Sequence, residues 1–245
     1  MIILDMDGTL LDSNQLVLEN SKAILRKLKQ IGKTIVIATG RCVESALPYL
    51  RTDFVDYLLA SNGAIWYSMK EDKIIKKSSI DSQRVIDLLC ECRDNISYLY
   101  IMNTRTNHFL DVEEANRYLQ NNEAIMLSIH PINIKLIMDK LQNQFSDLEI
   151  HIMQDSFKDY QWIDVVAKNN DKGKNIKDLA RYLNIDIENT MCFGDSLNDI
   201  EMFKVVRVSV AMGNALKEVK EVATHVTDSN NKDGIYNFLN KYYFI

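Results

Sequence analysis

The sequence has no apolar run approaching the roughly eighteen residues of a membrane-spanning helix, so a spanning protein is not expected. It has no block of lysine and arginine either, and its formal net charge is −5. Nucleic acid is therefore disfavoured as a partner, because a phosphate backbone rewards clustered cations. The four cysteines, Cys42, Cys90, Cys92 and Cys192, have neither metal-site nor disulfide spacing, which fits a reducing, cytoplasmic compartment. Met1 runs directly into an apolar strand pattern, so no signal peptide is expected, and the acceptor-like triplet Asn95-Ile96-Ser97 carries no weight without one. Repeats and low-complexity tracts are missing. What remains is 47% hydrophobic and 26% charged, an ordinary soluble composition, in 245 residues that admit one large domain or two.

Against that background the first residues stand out. Ile2-Ile3-Leu4 reads as a short buried strand and leads into Asp5-Met6-Asp7-Gly8-Thr9. Strand side chains alternate, so Asp5 and Asp7 can project together from the carboxyl end, the edge at which open parallel sheets bind ligands. Gly8 permits a sharp turn and close backbone approach, and the amides of such a turn suit an anion. A calcium loop is excluded, because Thr9-Leu10-Leu11 turns apolar where further ligands should follow.

Residues 17–31 carry Val17, Ile24, Leu25, Leu28 and Ile31 at helical spacing, and Gly32 stops that helix. Thr34–Ala38 is a buried strand ending in Thr39-Gly40-Arg41, so strand, helix and strand imply a right-handed parallel crossover. Gly32-Lys33-Thr34 imitates the end of a nucleotide-binding loop, but position 27 is Lys and a strand follows. A short helix near 43–51 precedes the strand 57–60. The turn signal Asn62-Gly63 then stands near two hairpin arms, 65–67 and 73–75. From about 79 the pattern changes to helices (around 85–92, 113–120 and 133–144) among adjacent strands (97–102, 107–111, around 124–129, 148–153 and 162–167). This reads as an α+β module inserted into a parallel domain. Parallel α/β pattern resumes with a helix at 174–183 and a strand at 190–193 ending in Gly194-Asp195-Ser196-Leu197-Asn198-Asp199. A strand at 205–211, a helix near 215–221, a strand at 224–226 and a helix near 232–241 complete it. The expected architecture is therefore α/β, a Rossmann-like parallel core (1–78 and 170–245) with an inserted α+β cap (79–169).

The loops 5–9, 39–41 and 194–199 each follow a parallel strand and should converge at one sheet edge. They bring together a nucleophile and a proton shuttle (Asp5, Asp7), a hydroxyl (Thr39) and further carboxylates (Asp195, Asp199). Hard oxygen ligands with room for water suit Mg²⁺. Without a cation, the carboxylates would repel a phosphate dianion; a divalent ion and a lysine reverse that. Lys172, ahead of Gly173, and Lys174 are the candidate lysines.

The order of these motifs resembles that of the haloacid dehalogenase superfamily. Asp5-Met6-Asp7-Gly8-Thr9 is similar to its first motif, Thr39 to its second, Lys172 to its lysine, and Gly194–Asp199 to its acidic fourth motif. Thr39-Gly40-Arg41, Asn62-Gly63-Ala64 and Lys172-Gly173 are similar to the Cof-type subfamily, which inserts an α/β cap between the second and third motifs. Asp171 departs from the serine frequent there. The resemblance implies that Asp5 attacks phosphorus, that Asp7 acts as acid and then base, and that Lys172 and Thr39 assist. It implies Mg²⁺ on Asp5, Asp195 and the main-chain oxygen of Asp7, with Asp199 in support directly or through water. Gly8, Gly40 and Asn198 are expected at the phosphate, and Arg41 and Asn62 within reach of substrate.

The function so implied is a Mg²⁺-dependent phosphatase acting on a small phosphorylated metabolite. A phosphosugar mutase is the alternative, although nothing in the sequence marks retention of a bisphosphate. A non-catalytic binding protein fits less well, since Asp5, Asp7, Lys172 and Asp195 are all present. Specificity is expected in the insert, which offers Tyr98, Tyr100, Asn103, Arg105, His108, Tyr160 and Trp162 to an organic group.

Overall fold

The structure is a computed structural model that describes residues 1–154 and 160–245. Its larger sheet collects β1 (Ile2–Leu4), β2 (Ile35–Ala38), β3 (Tyr57–Ala60), β4 (Ile65–Ser68), β5 (Lys73–Lys77), β11 (Met191–Gly194), β12 (Val208–Ala211) and β13 (His225–Val226), in the order β13-β12-β11-β1-β2-β3-β4-β5. All neighbours from β13 to β3 are parallel, and β4 and β5 extend the edge antiparallel. β1 lies in the middle, with Ile3 in register with Cys192 on one side and Val36 on the other.

Alternation along β1 separates the two apolar layers. Ile2 and Leu4 pack with α1 (Glu19–Gln30), α2 (Val43–Leu50) and α9 (Gly234–Phe244). Met1 and Ile3 pack with α6 (Lys172–Tyr182), α7 (Ile200–Phe203) and α8 (Lys217–Val222). Because both faces are covered, the central strands read as unbroken apolar runs rather than alternating ones.

The second sheet, order β7-β6-β8-β10-β9, is antiparallel and contains β6 (Ile96–Met102), β7 (Thr106–Phe109), β8 (Met126–Pro131), β9 (Leu148–Gln154) and β10 (Gln161–Ala167). Leu99, Ile101, Leu127, Ile129, Ile163 and Val165 face α3 (Ser82–Cys92), α4 (Val112–Leu119) and α5 (Ile134–Gln144) in one apolar cluster. By the pleat, Tyr98, Tyr100, Met102, Met126, Ser128, Trp162 and Asp164 lie on the opposite face.

Local differences from the sequence pattern have local causes. Asn62-Gly63 turns β3 into β4, with Asn62 at φ 55°, so it precedes the β4–β5 pair instead of joining its arms. The helix expected from 174 begins at Lys172, because the Asp171 side chain accepts from the Lys174 amide at 2.8 Å and caps it. The strand expected from Val205 begins at Val208, since the Lys204 and Val205 amides still donate to the Ile200 and Met202 carbonyls of α7.

Candidate active site

The site begins where β1 ends. The Asp5 amide donates to the Phe193 carbonyl, extending the pairing with β11, and the Leu10 and Leu11 amides return to the Asp5 and Met6 carbonyls, closing the loop tightly. Gly8 has φ +78°, and a Cβ there would stand 2.4 Å from an Asp195 carboxylate oxygen. Only glycine lets the first loop pass this close to the fourth. The Thr9 hydroxyl donates to Asp195 at 2.7 Å across the same gap.

Asp5, Asp195 and Asp199 are buried, and each offers an oxygen within 4.8 Å of the others'. The Lys172 ammonium, whose side chain is 0% exposed, donates to Asp5 and to Asp199 at 2.6 Å each. The second oxygen of Asp199 accepts from the Asp195 and Ser196 amides at 2.9 and 3.0 Å. Asp199 thus orients Lys172 and the 194–199 loop. Lys172 is brought there by the first turn of α6, where a Cβ on Gly173 would stand 2.2 Å from the Glu201 carbonyl, so α6 and α7 approach closely at the Lys-Gly pair.

With all three buried carboxylates ionised, one ammonium leaves two negative charges in excess. Burial and the repulsion of Asp199 push the Asp5 carboxyl well above the ordinary carboxylate range, and the same causes raise Asp195 to about 7. For Lys172, burial works against the charged form, but Asp199 and Asp5 together outweigh it and hold the ammonium protonated. A hard divalent cation would neutralise that excess, and a cluster made only of carboxylate oxygens suits one. The residues present fit such an ion.

Of the remaining candidates, all but Asn62 line an adjoining cavity of about 370 Å³. Asp5, Asp7, Gly8, Thr39, Gly40, Arg41 and Asn198 line it from the larger sheet's loops; Met102, Met126, Ser128, Met153, Trp162 and Asp164 line it from the second sheet. Asp7 is outside the carboxylate cluster: its side chain is 45% exposed and receives Arg41 Nε at 2.8 Å and a terminal guanidinium nitrogen at 2.5 Å. Arg41 also binds Gln15 and stacks over Tyr49. The Thr39 hydroxyl accepts from the Arg41 amide at 3.1 Å, shaping the second loop. Asn198 donates to Asn62 at 3.0 Å, and Asn62 donates to Asp164 at 3.4 Å, a polar chain running from the fourth loop into the second sheet. Lys174 binds Asp178 on the surface, away from the cluster, so Lys172 is the site lysine.

Of the aromatic candidates, Tyr98, Tyr100, His108, Tyr160 and Trp162 gather around His130 on the sheet face opposite the helices, Tyr98 stacking on His130 at 4.2 Å. Asn103 and Arg105 lie elsewhere, on Tyr118 and Glu44. Asp164 escaped the sequence reading. Its signal was a lone acid in the otherwise apolar strand Trp162–Ala167. Burial pushes its carboxyl up to about 6.

A parallel sheet whose strand ends assemble a carboxylate–lysine cluster, beside a cavity closed by a second sheet, defines a capped α/β phosphatase. The chain belongs to the haloacid dehalogenase-like hydrolases, whose family model matches residues 2–239, and it is of the Cof type. It is similar to two Bacillus subtilis proteins named 5-amino-6-(5-phospho-D-ribitylamino)uracil phosphatase. YcsE is 29% identical over 96% of this chain and 92% of its own, and YitU 25% identical over 99% and 97%. Among solved structures, a haloalkanoate-superfamily phosphatase from Bacteroides thetaiotaomicron superposes with a TM-score of 0.85 at 26% identity, over 100% of this chain and 95% of its own. The protein is a phosphatase acting on small phosphorylated substrates.

Proposed function

We propose that the chain is a Mg²⁺-dependent, cytoplasmic phosphomonoesterase that hydrolyses a small phosphorylated metabolite through an aspartyl-phosphate on Asp5, with residues 79–169 as the specificity cap. One observation carries this reading: Asp5 both belongs to the buried carboxylate cluster and lines the cavity. It is the point at which a cation pocket meets a substrate space.

Asp5 attacks phosphorus while the bond to the leaving oxygen breaks, and Asp7 delivers a proton to that oxygen. Asp7, on the cavity side and reachable by solvent, then takes a proton from water as the water attacks phosphorus; inorganic phosphate leaves and the Asp5 carboxylate is restored. Lys172 fixes the Asp5 carboxylate, and Asp199 fixes Lys172. Thr39, with the loop at Gly8 and Gly40, receives the phosphoryl oxygens, and Asn198, bonded to Asn62 behind it, frames them. Asp5, Asp195 and the main-chain oxygen of Asp7 would hold Mg²⁺, with Asp199 in support directly or through water, and the ion would supply charge that offsets repulsion of the phosphate dianion. The cavity is the size of a small-molecule site. The relatives' names favour a phosphorylated polyol among the candidates.

The test is phosphate release from a panel of sugar and polyol phosphates, nucleotides, flavin mononucleotide and pyridoxal phosphate. Activity should require Mg²⁺ and vanish in Asp5→Asn with the circular-dichroism spectrum retained. Full activity in excess chelator removes the metal assignment; an active Asp5→Asn removes the nucleophile.

A further inference from the structure

The polar chain from the fourth loop to β10 has a direction, and its far end sets it. Asp164 is buried, with Ser128 directly opposite it on β8 and Trp162 two residues before it on the same face. Both donate towards its carboxylate and steady it within the second sheet. Burial raises the carboxyl to about 6, so above neutral pH it is ionised and offers acceptors only. The Asn62 side chain that reaches it at 3.4 Å therefore presents Nδ2, and its Oδ1 is left to accept from Asn198 Nδ2 at 3.0 Å. Asn62 is held in place from behind. It is 1% exposed, its amide donates to the Thr39 carbonyl at 2.9 Å, and its φ of 55° is a conformation that asparagine tolerates. Asn198 Nδ2 carries a second hydrogen, and Asn198 lines the cavity together with Asp5, Gly8, Thr39 and Gly40.

We propose that Asp164 and Asn62 are positioning residues: through Asn62, the β10 carboxylate fixes the Asn198 side chain so that its N–H, and not its carbonyl oxygen, meets the phosphoryl group. This rests on the phosphatase reading. The two ends of a side-chain amide are nearly equal in shape, so packing alone does not choose between them. The carboxylate does. Turned over, Asn62 would set its own oxygen against Asp164; with Asn62 fixed, a reversed Asn198 would set its oxygen against Asn62 Oδ1 and against a phosphate oxygen at once. Either reversal leaves buried acceptors facing one another without a donor, which is costly. Because Asn62 bridges the two sheets, phosphate recognition on the larger one depends on how the second is seated.

The experiment measures inhibition by inorganic phosphate, which has no leaving group, with Mg²⁺ present at about pH 8 and an aryl phosphate as reporter substrate. It compares the wild type, Asp164→Leu, Asp164→Asn, Asn62→Gly (which keeps the positive φ) and the Asn62→Gly/Asp164→Leu pair, with circular dichroism reporting each fold. Charge alone predicts that deleting a carboxylate near the site tightens phosphate binding. The amide chain predicts the reverse. Ki for phosphate should rise roughly three- to tenfold in Asp164→Leu, the net effect of one hydrogen bond, and by less in Asp164→Asn, whose amide oxygen can still accept. In the Asn62→Gly background Asp164→Leu should add no further loss, because the connection is already cut. An unchanged or lower Ki in Asp164→Leu, or an equal loss in both backgrounds, overturns the assignment while the phosphatase reading stands. Should Asp164→Leu fail to fold, Asp164→Asn in the two backgrounds gives the same comparison. A wild type that releases phosphate from no ester removes both.

Discussion

Asp5 and Asp199 share one ammonium, and Asp195 sits beside them with, among the described residues, only the Thr9 and Ser196 side chains donating to it. The charge left over makes the cation-free site sensitive to pH. Asp195 titrates at an ordinary 3.8 when unfolded and at about 7 when folded. Between those values the folded protein holds a proton that the unfolded chain has released. The stability this gives is complete below the lower value and is lost as pH rises through the higher one; Asp5 shifts in the same direction. Metal binding needs the ionised carboxylates, so the rise in Tm on adding Mg²⁺ should grow from pH 5.5 to pH 8. At a hundredfold excess over Kd the gain is about 2.7 kcal/mol, roughly 5–10 °C for a chain of this size. Thermal melts with and without Mg²⁺ at the two pH values check this, and an equal shift at both would contradict it. Asp7 behaves differently because it faces the cavity. Asp7→Asn should lower turnover of alkyl phosphates by ~10²–10⁴-fold and of aryl phosphates by less, since a phenolate leaves with little protonation. Pre-steady-state measurement of the phosphorylation step separates the two.

At the scale of elements, the site depends on how helices start and how loops pass one another. α6 starts at Lys172 because Asp171 caps it, and Ser and Asp are both strong N-caps, so the acid here does the work of the serine usual in the subfamily. Asp171→Ser should therefore stay within about 0.5 kcal/mol of the wild type, whereas Asp171→Ala should cost ~0.5–2 kcal/mol. Denaturant unfolding measures both. If Asp171→Ala also lowers kcat, the cap is positioning Lys172 as well as stabilising the helix. Gly8 is the tighter constraint: Gly8→Ala would have to accommodate both a positive φ and an overlap with Asp195, and should lose stability and Mg²⁺ affinity together.

Across the whole molecule, the larger sheet carries the residues proposed for the phosphoryl chemistry, and the second sheet lines the cavity with residues that differ in character from the loops beneath. In the proposed mechanism the loops at β1, β2 and β11 handle only the phosphoryl group and cannot distinguish one leaving group from another. Alanine at Met126, Met153 or Trp162 should therefore change relative kcat/KM among phosphorylated metabolites by about tenfold or more, and should change aryl phosphate turnover less. Assays of each variant on both substrate types decide it; equal scaling of both activities would make the second sheet only a lid.

The alternation of buried residues, the helix spacings and the order of the acidic motifs were all legible along the chain, because each depends on residues close in sequence or on the periodicity of one element. That sufficed for the parallel core, for the inserted module, and for Asp5, Thr39, Asp195 and Asp199 as neighbours at one sheet edge; Lys172 was singled out from Lys174 only by the family resemblance. Packing decided the rest. Periodicity shows that β10 alternates, but not which of its faces meets the cavity, so Asp164 read as one acid in an apolar strand. The aromatic and polar candidates of the insert looked alike until the sheet placed some around His130 and sent Asn103 and Arg105 elsewhere. The division of labour among the acids was equally hidden. Asp199 accepts from Lys172 and two amides, while Asp7 turns to Arg41, and these partners come from segments as many as 34 residues away along the chain. Sequence determines which groups are present and which element carries them; only the tertiary fold sets distance and burial, and on those the charge balance of the site depends.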